Sequence, residues 1–145
     1  MGIIRGGDSE YEEHEPSFEE KTAEWQKTLQ PLLEEEPGTL KLSGRYISSD
    51  DVKIICNYPG IKTVRVLDLA DNQVNDEALP VLFESENLAQ LEELYLGINF
   101  LIGEGLTKIA CSSQIKLGNL KKLVISDNRL TDASVADFIR SKNFP

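Results

Sequence analysis

Acid–base, nucleophilic and metal chemistry draw on histidine, cysteine and convergent carboxylates, and this sequence offers few of them. Its one histidine, His14, lies in an acidic stretch near the N-terminus. A histidine-dependent triad or a histidine-based metal site in the folded body is therefore excluded. Asp68, Asp71, Asp76, Glu92 and Glu93 invite a carboxylate site. No calcium-loop spacing accompanies them, so a solvated rim is expected instead. Gly103-Glu104-Gly105 is a turn-like pair, and neither a phosphate-binding loop nor a dinucleotide fingerprint is present. No catalytic residue, metal or cofactor is expected, and the chain reads as a non-enzyme.

What the sequence does carry is an internal repeat. Val64 to Val74, Leu91 to Leu101 and Leu120 to Leu130 each follow the pattern LxxLxLxxNxL, with Val or Ile allowed for Leu. A weaker copy runs from Leu40 to Ile47. The spacing is 27 residues from Leu40 to Leu67, 27 from Leu67 to Leu94 and 29 from Leu94 to Leu123. Alternation at Leu67/Leu69, Leu94/Leu96 and Leu123/Ile125 predicts short strands with one face buried. An asparagine three positions later carries two donors and an acceptor on a short arm. Stacked coils then bring Asn72, Asn99 and Asn128 into a ladder, with Val74, Leu101 and Leu130 closing the turn.

Helical signals follow each strand. Ser48 to Val52, Asn75 to Leu79 and Thr131 to Val135 offer polar caps, early acids and apolar groups at helical spacing. Ile102-Gly103-Glu104-Gly105 is a poor cap for the helix expected around Leu106 and Ile109. Its coil's two extra residues fall near Cys111-Ser112-Ser113-Gln114, where a loop absorbs them.

These segments resemble the leucine-rich repeat family, and the period resembles its ribonuclease-inhibitor-like subclass, over about residues 39–140. The resemblance implies an α/β solenoid, with short parallel strands on a concave face and helices on a convex one. It also implies a concave face that grips another protein. Cys56 and Cys111 fall two coils apart, roughly 10 Å at strand spacing. A disulfide is not expected there; buried free thiols in a reducing, cytoplasmic setting are.

Charge divides the chain. It has 145 residues and a formal net charge of -10, from 15 basic and 25 acidic side chains. Residues 1–36 alone hold 11 acids and 3 bases. Residues 1–16 have too little apolar surface to offset chain entropy and are expected to be a disordered acidic segment. Residues 17–36 are expected to form a capping helix: Ser17-Phe18-Glu19-Glu20 is a capping box, and Phe18, Thr22, Trp25, Leu29 and Leu32 make an apolar stripe. Pro31 is expected to end or kink it near Leu29–Gln30. Residues 37–145 form the repeat domain of four coils. At its far end Phe138, Ile139 and Phe144 cover the last coil, or the chain is a fragment, or it self-associates weakly there.

The acidic balance argues against nucleic acid and anionic membrane as partners. No apolar run reaches the roughly 18 residues of a membrane span, and Gly6 stands where a myristoylation signal wants Ser or Thr. What remains is surface. Stacking predicts one column of Lys41, Asp68, Tyr95 and Val124, flanked by Thr39, Val66, Glu93 and Lys122 and by Ser43, Ala70, Gly97 and Ser126. A further rank reads Tyr46, Gln73, Phe100 and Arg129. Tyr95, Ile98, Phe100 and Tyr46 are the groups least explained by the core pattern, and exposed aromatics beside mixed charge suit a protein-binding face. The competing expectation folds Phe100 over the Ile102 loop and Tyr46 over the cap. The site residues so assigned are Lys41, Asp68, Tyr95, Val124, Ile98, Phe100, Glu93 and Lys122. The leading function is non-enzymatic protein binding through that face. A small-GTPase activator, enzyme inhibitor or actin-capping-like regulator, and a host-targeted effector or recognition domain, are alternatives drawn from fold analogy.

Overall fold

The computed structural model describes residues 15–141; the expectations for residues 1–14 and for Phe144 lie outside them. The described residues open with helix α1 (Phe18–Glu35), started by a reciprocal cap. The Ser17 Oγ accepts from the Glu20 backbone N–H at 3.1 Å, and the Glu20 carboxylate accepts from the Ser17 N–H at 3.2 Å. Leu29 and Leu33 are buried on one face of α1, each contributing about 2 kcal/mol of apolar transfer. Trp25 donates its indole N–H to Asp51 at 3.1 Å, which ties α1 to the next helix.

The expected break at Pro31 does not occur: α1 runs through it to Glu35. Pro31 faces water, while Leu29 and Leu33 on either side of it are held in the core. Their burial outweighs the single backbone bond that proline cannot make.

Four strands follow, β1 (Thr39–Lys41), β2 (Val66–Asp68), β3 (Glu93–Tyr95) and β4 (Lys122–Val124). They form one parallel sheet in sequence order, as coils stacked one after another require. The pairs Leu40–Leu67, Leu67–Leu94 and Leu94–Leu123 lie directly in register. Helices α2 (Ser49–Asn57), α3 (Ala78–Phe83), α4 (Glu104–Cys111) and α5 (Asp132–Ile139) return the chain along the other side. The 3₁₀ turns Pro59–Thr63 and Glu86–Leu88 complete the first two coils. The result is an α/β solenoid with its core between sheet and helices.

Equivalent residues share the core. Leu40, Leu67 and Leu94, then Leu42, Leu69 and Leu96, then Ile47, Val74 and Leu101 are all buried. Ile61, Leu88 and Leu117, six residues before the strand leucines, add a buried rank that the LxxLxLxxNxL pattern leaves out. In the last coil Leu123, Ile125 and Leu130 are only half-buried, since one neighbouring coil covers them. Phe138 of α5 meets Phe83 edge-to-face at 6.3 Å, whereas Ile139 is 69% exposed.

The asparagines join the coils. Asn72 Oδ1 accepts from the backbone N–H groups of Arg45 and Ile47, both at 2.9 Å, and its amide donates to the Leu42, Leu69 and Ala70 carbonyls. Asn99 accepts from Val74 N–H at 2.9 Å and donates to Leu69, Leu96 and Gly97. Asn128 accepts from Leu101 N–H at 3.0 Å and donates to Leu96, Ile125 and Ser126. Leu69 O and Leu96 O thus each receive two asparagines from adjacent coils.

Helix entry differs from coil to coil. Ser48 and Asp51 make a full capping box for α2, and Thr131 caps α5 through the Ser134 N–H. At α3 the expected side-chain cap is absent: Asn75 Oδ1 instead accepts from Glu77 N–H and from Ser49 Oγ of the previous coil. The weakly signalled α4 is a full helix because its cap comes from elsewhere. Asp76, one coil back, accepts from the N–H groups of Ile102, Gly103 and Gly105 at 2.6, 3.0 and 2.6 Å. Gly103 adopts φ +114°, and a Cβ on Gly105 would sit 2.7 Å from the Asp76 carbonyl oxygen. The glycines that make a poor local cap are what let Asp76 approach.

Candidate protein-interaction face

Strand register places Lys41, Asp68, Tyr95 and Val124 side by side across the sheet, with Thr39, Val66, Glu93 and Lys122 in the adjoining row. These side chains alternate with the buried leucines and so point away from the core. Lys41 and Lys122 are exposed; Asp68, Glu93, Tyr95 and Val124 are half-buried. Tyr95 is fixed from two sides. Its hydroxyl donates to Glu93 at 2.5 Å, and the Lys122 ammonium stands 5.2 Å from its ring centroid. That cation–π contact and charge-assisted bond restrain the ring.

The carboxylates do not converge. Asp68 accepts from the Ala70 N–H, and Glu92 lies within 3.7 Å of Arg65 and 3.6 Å of Lys121 at the surface. Asp76 is not part of a solvated rim but the cap of α4. Asp71 alone stands exposed. Among the described residues no group of three His, Cys, Asp or Glu side chains could hold a metal ion, and no helix is long and apolar enough to cross a membrane.

Both cysteines are free. Cys56 is buried as expected, and burial pushes its thiol up to about 12, with a Ser85 hydrogen bond opposing the shift. Cys111 is exposed, contrary to expectation. It closes α4 on the solvent side, while Ile109 of the same helix takes the buried position.

Beyond the strands, large apolar groups on either side of the ladder position are exposed. Tyr46 is 79%, Phe100 61% and Ile98 53% exposed. Phe100 does not fold over the Ile102 loop, nor Tyr46 over the cap. Gly44, Asp71, Ile98 and Asp127 occupy equivalent places one residue before the ladder position, and all have φ between 55° and 68°. Glycine and aspartate tolerate this left-handed conformation, but a β-branched residue does so only at a cost. Ile98 is thus a strained residue that also leaves apolar surface in water. Tyr46, at φ 57°, is a second bulky residue in that region.

Residues 61–80 and 118–138 match the family model described as Leucine Rich repeat. No curated protein matches the chain significantly. Among solved structures, an internalin from Listeria monocytogenes aligns with a TM-score of 0.40 at 21% identity, covering 74% of this chain and 33% of the internalin chain. This chain thus spans about a third of that protein's length.

Proposed function

We propose that this leucine-rich repeat chain is a non-enzymatic binding module that holds a protein partner on its concave strand face, with Tyr95 at the centre. Leucine-rich repeat domains are in general protein–protein interaction modules. The observation that carries the placement is the register that aligns Lys41, Asp68, Tyr95 and Val124 in one row beside Glu93 and Lys122. An aromatic ring already restrained by Glu93 and Lys122 loses little entropy on binding, which suits a hot spot. Mixed charge around it supplies orientation. A period of 27 to 29 residues with a helix in every coil supports the ribonuclease-inhibitor-like subclass. The unpaired thiols support a reducing, cytoplasmic setting.

The test is affinity capture with the wild-type chain and the Tyr95→Ala/Asp68→Lys variant in parallel. The variant is expected to lose the partner while its thermal unfolding stays within a few degrees of wild type. Equal capture by both proteins overturns the placement.

A further inference from the structure

Tyr46 and Phe100 wall a groove of about 250 Å³ whose remaining surface includes Gly44, Asp71, Asn72 and Gln73. Gln73 lies between the two rings in coil order, so they stand two coil spacings apart, about 10 Å between backbones. Both rings line the groove, so a flat cation that enters it meets aromatic side chains from two coils. The volume admits one long side chain and not a helix. Asp71 supplies the charge: it is exposed, and its carboxylate lies over Gly44, 3.8 Å from where a Cβ would stand. No described side chain pairs with it, and Arg45, although next to Tyr46, does not line the groove. The backbone on both sides is fixed. Gln73 N–H donates to Ile47 O at 2.8 Å and Phe100 N–H to Val74 O at 2.9 Å, so the backbone that carries the groove is held between coils.

We propose that this slot receives an arginine side chain from a basic segment of the partner, its guanidinium stacked between Tyr46 and Phe100 and paired with Asp71. Two aromatic faces attract a cation through their quadrupoles, and guanidinium stacks better than ammonium because it is planar and weakly hydrated. A carboxylate at the slot takes its N–H donors as charge-assisted bonds. Most of the chain's acid excess lies in residues 1–36, so basic segments are drawn to the chain in general and the slot's own charge is that of Asp71. The slot selects arginine where the overall charge does not. This assignment rests on the binding-module reading and names the partner chemistry at one edge of the same face.

Fluorescence anisotropy with two labelled peptides tests it, an eight-residue glycine–arginine repeat and its glycine–lysine counterpart, titrated with the full chain at physiological salt. The arginine peptide is expected to bind about fivefold more tightly than the lysine peptide. Tyr46→Ala and Phe100→Ala change no charge, and each is expected to remove that preference. Tyr46→Phe should keep it, and Asp71→Asn should weaken both peptides. Phe18→Ala removes an equally exposed ring on α1 (59%) and should have no effect. Equal affinity for the two peptides, no binding at all, or an equal loss in Phe18→Ala overturns the slot. Failure here with loss of capture in Tyr95→Ala/Asp68→Lys leaves the strand face standing; the converse leaves the slot and removes the strand face.

Discussion

Replacing Asn99 by alanine removes four hydrogen bonds from the middle of the ladder, and their consequences are unequal. The Val74 N–H loses its acceptor inside a fully buried residue, at a cost of about 2 kcal/mol. The three carbonyls fare better. Leu69 O keeps the amide of Asn72, Leu96 O keeps that of Asn128, and Gly97 O keeps the Asp71 N–H. Losing those bonds adds about 1 kcal/mol. The expected total is about 3 kcal/mol, or a fall of about 10 °C in Tm for a chain of this length. Combining Asn72→Ala with Asn99→Ala deprives Leu69 O of both side-chain donors at once, so the double variant should lose about 1 kcal/mol more than the sum of its parts. Asn72 and Asn128 share no carbonyl, and their double variant should be additive. Urea unfolding followed by far-UV circular dichroism measures all of these. If Asn72/Asn99 is as additive as Asn72/Asn128, or if Asn99→Ala costs under about 1 kcal/mol, the shared-carbonyl account is wrong.

Three further outcomes are expected. Asp76→Ala should destabilise the chain by about 2 kcal/mol and fray α4 first, visible as faster amide exchange at Ile102, Gly103 and Gly105; protection equal to wild type would contradict a cap supplied across coils. Ile98→Asp, which installs the residue found at Asp71 and Asp127, should stabilise the fold by about 1 kcal/mol in urea while reducing partner capture, and a loss of stability would show that the left-handed strain is absent. Native protein should give one rapidly titrating thiol, Cys111, and two after denaturation. Because burial raises the Cys56 pKa to about 12, its contribution to stability is complete below the ordinary thiol range and declines as pH rises from there through the folded value. Cys56→Ala should flatten that alkaline decline, and an unchanged pH profile would refute the assignment.

The architecture was legible because a solenoid writes its tertiary contacts into its period. Residues 27 apart become neighbours, so aligning Val64, Leu91 and Leu120 already pairs Asp68 with Tyr95 and Glu93 with Lys122. The local signals that misled were those where a neighbour intervened. Pro31 reads as a helix stop, yet Leu29 and Leu33 hold its helix in the core. Cys111 occupies nearly the repeat position of Cys56, but the offset of one residue puts Ala110 at the equivalent place and leaves Cys111 exposed.

Residue order was enough for the coil: strand, asparagine turn, helix and their succession, since each follows from spacing within about thirty residues. What passes between coils emerges only once they are stacked. Asp76 caps a helix whose own first turn has no capping side chain, Leu69 O is shared by two asparagines, and Tyr46 and Phe100 come to face one groove although 54 positions separate them. Side-chain direction and exposure depend on what the adjacent coil leaves uncovered, and no local pattern of residues encodes that.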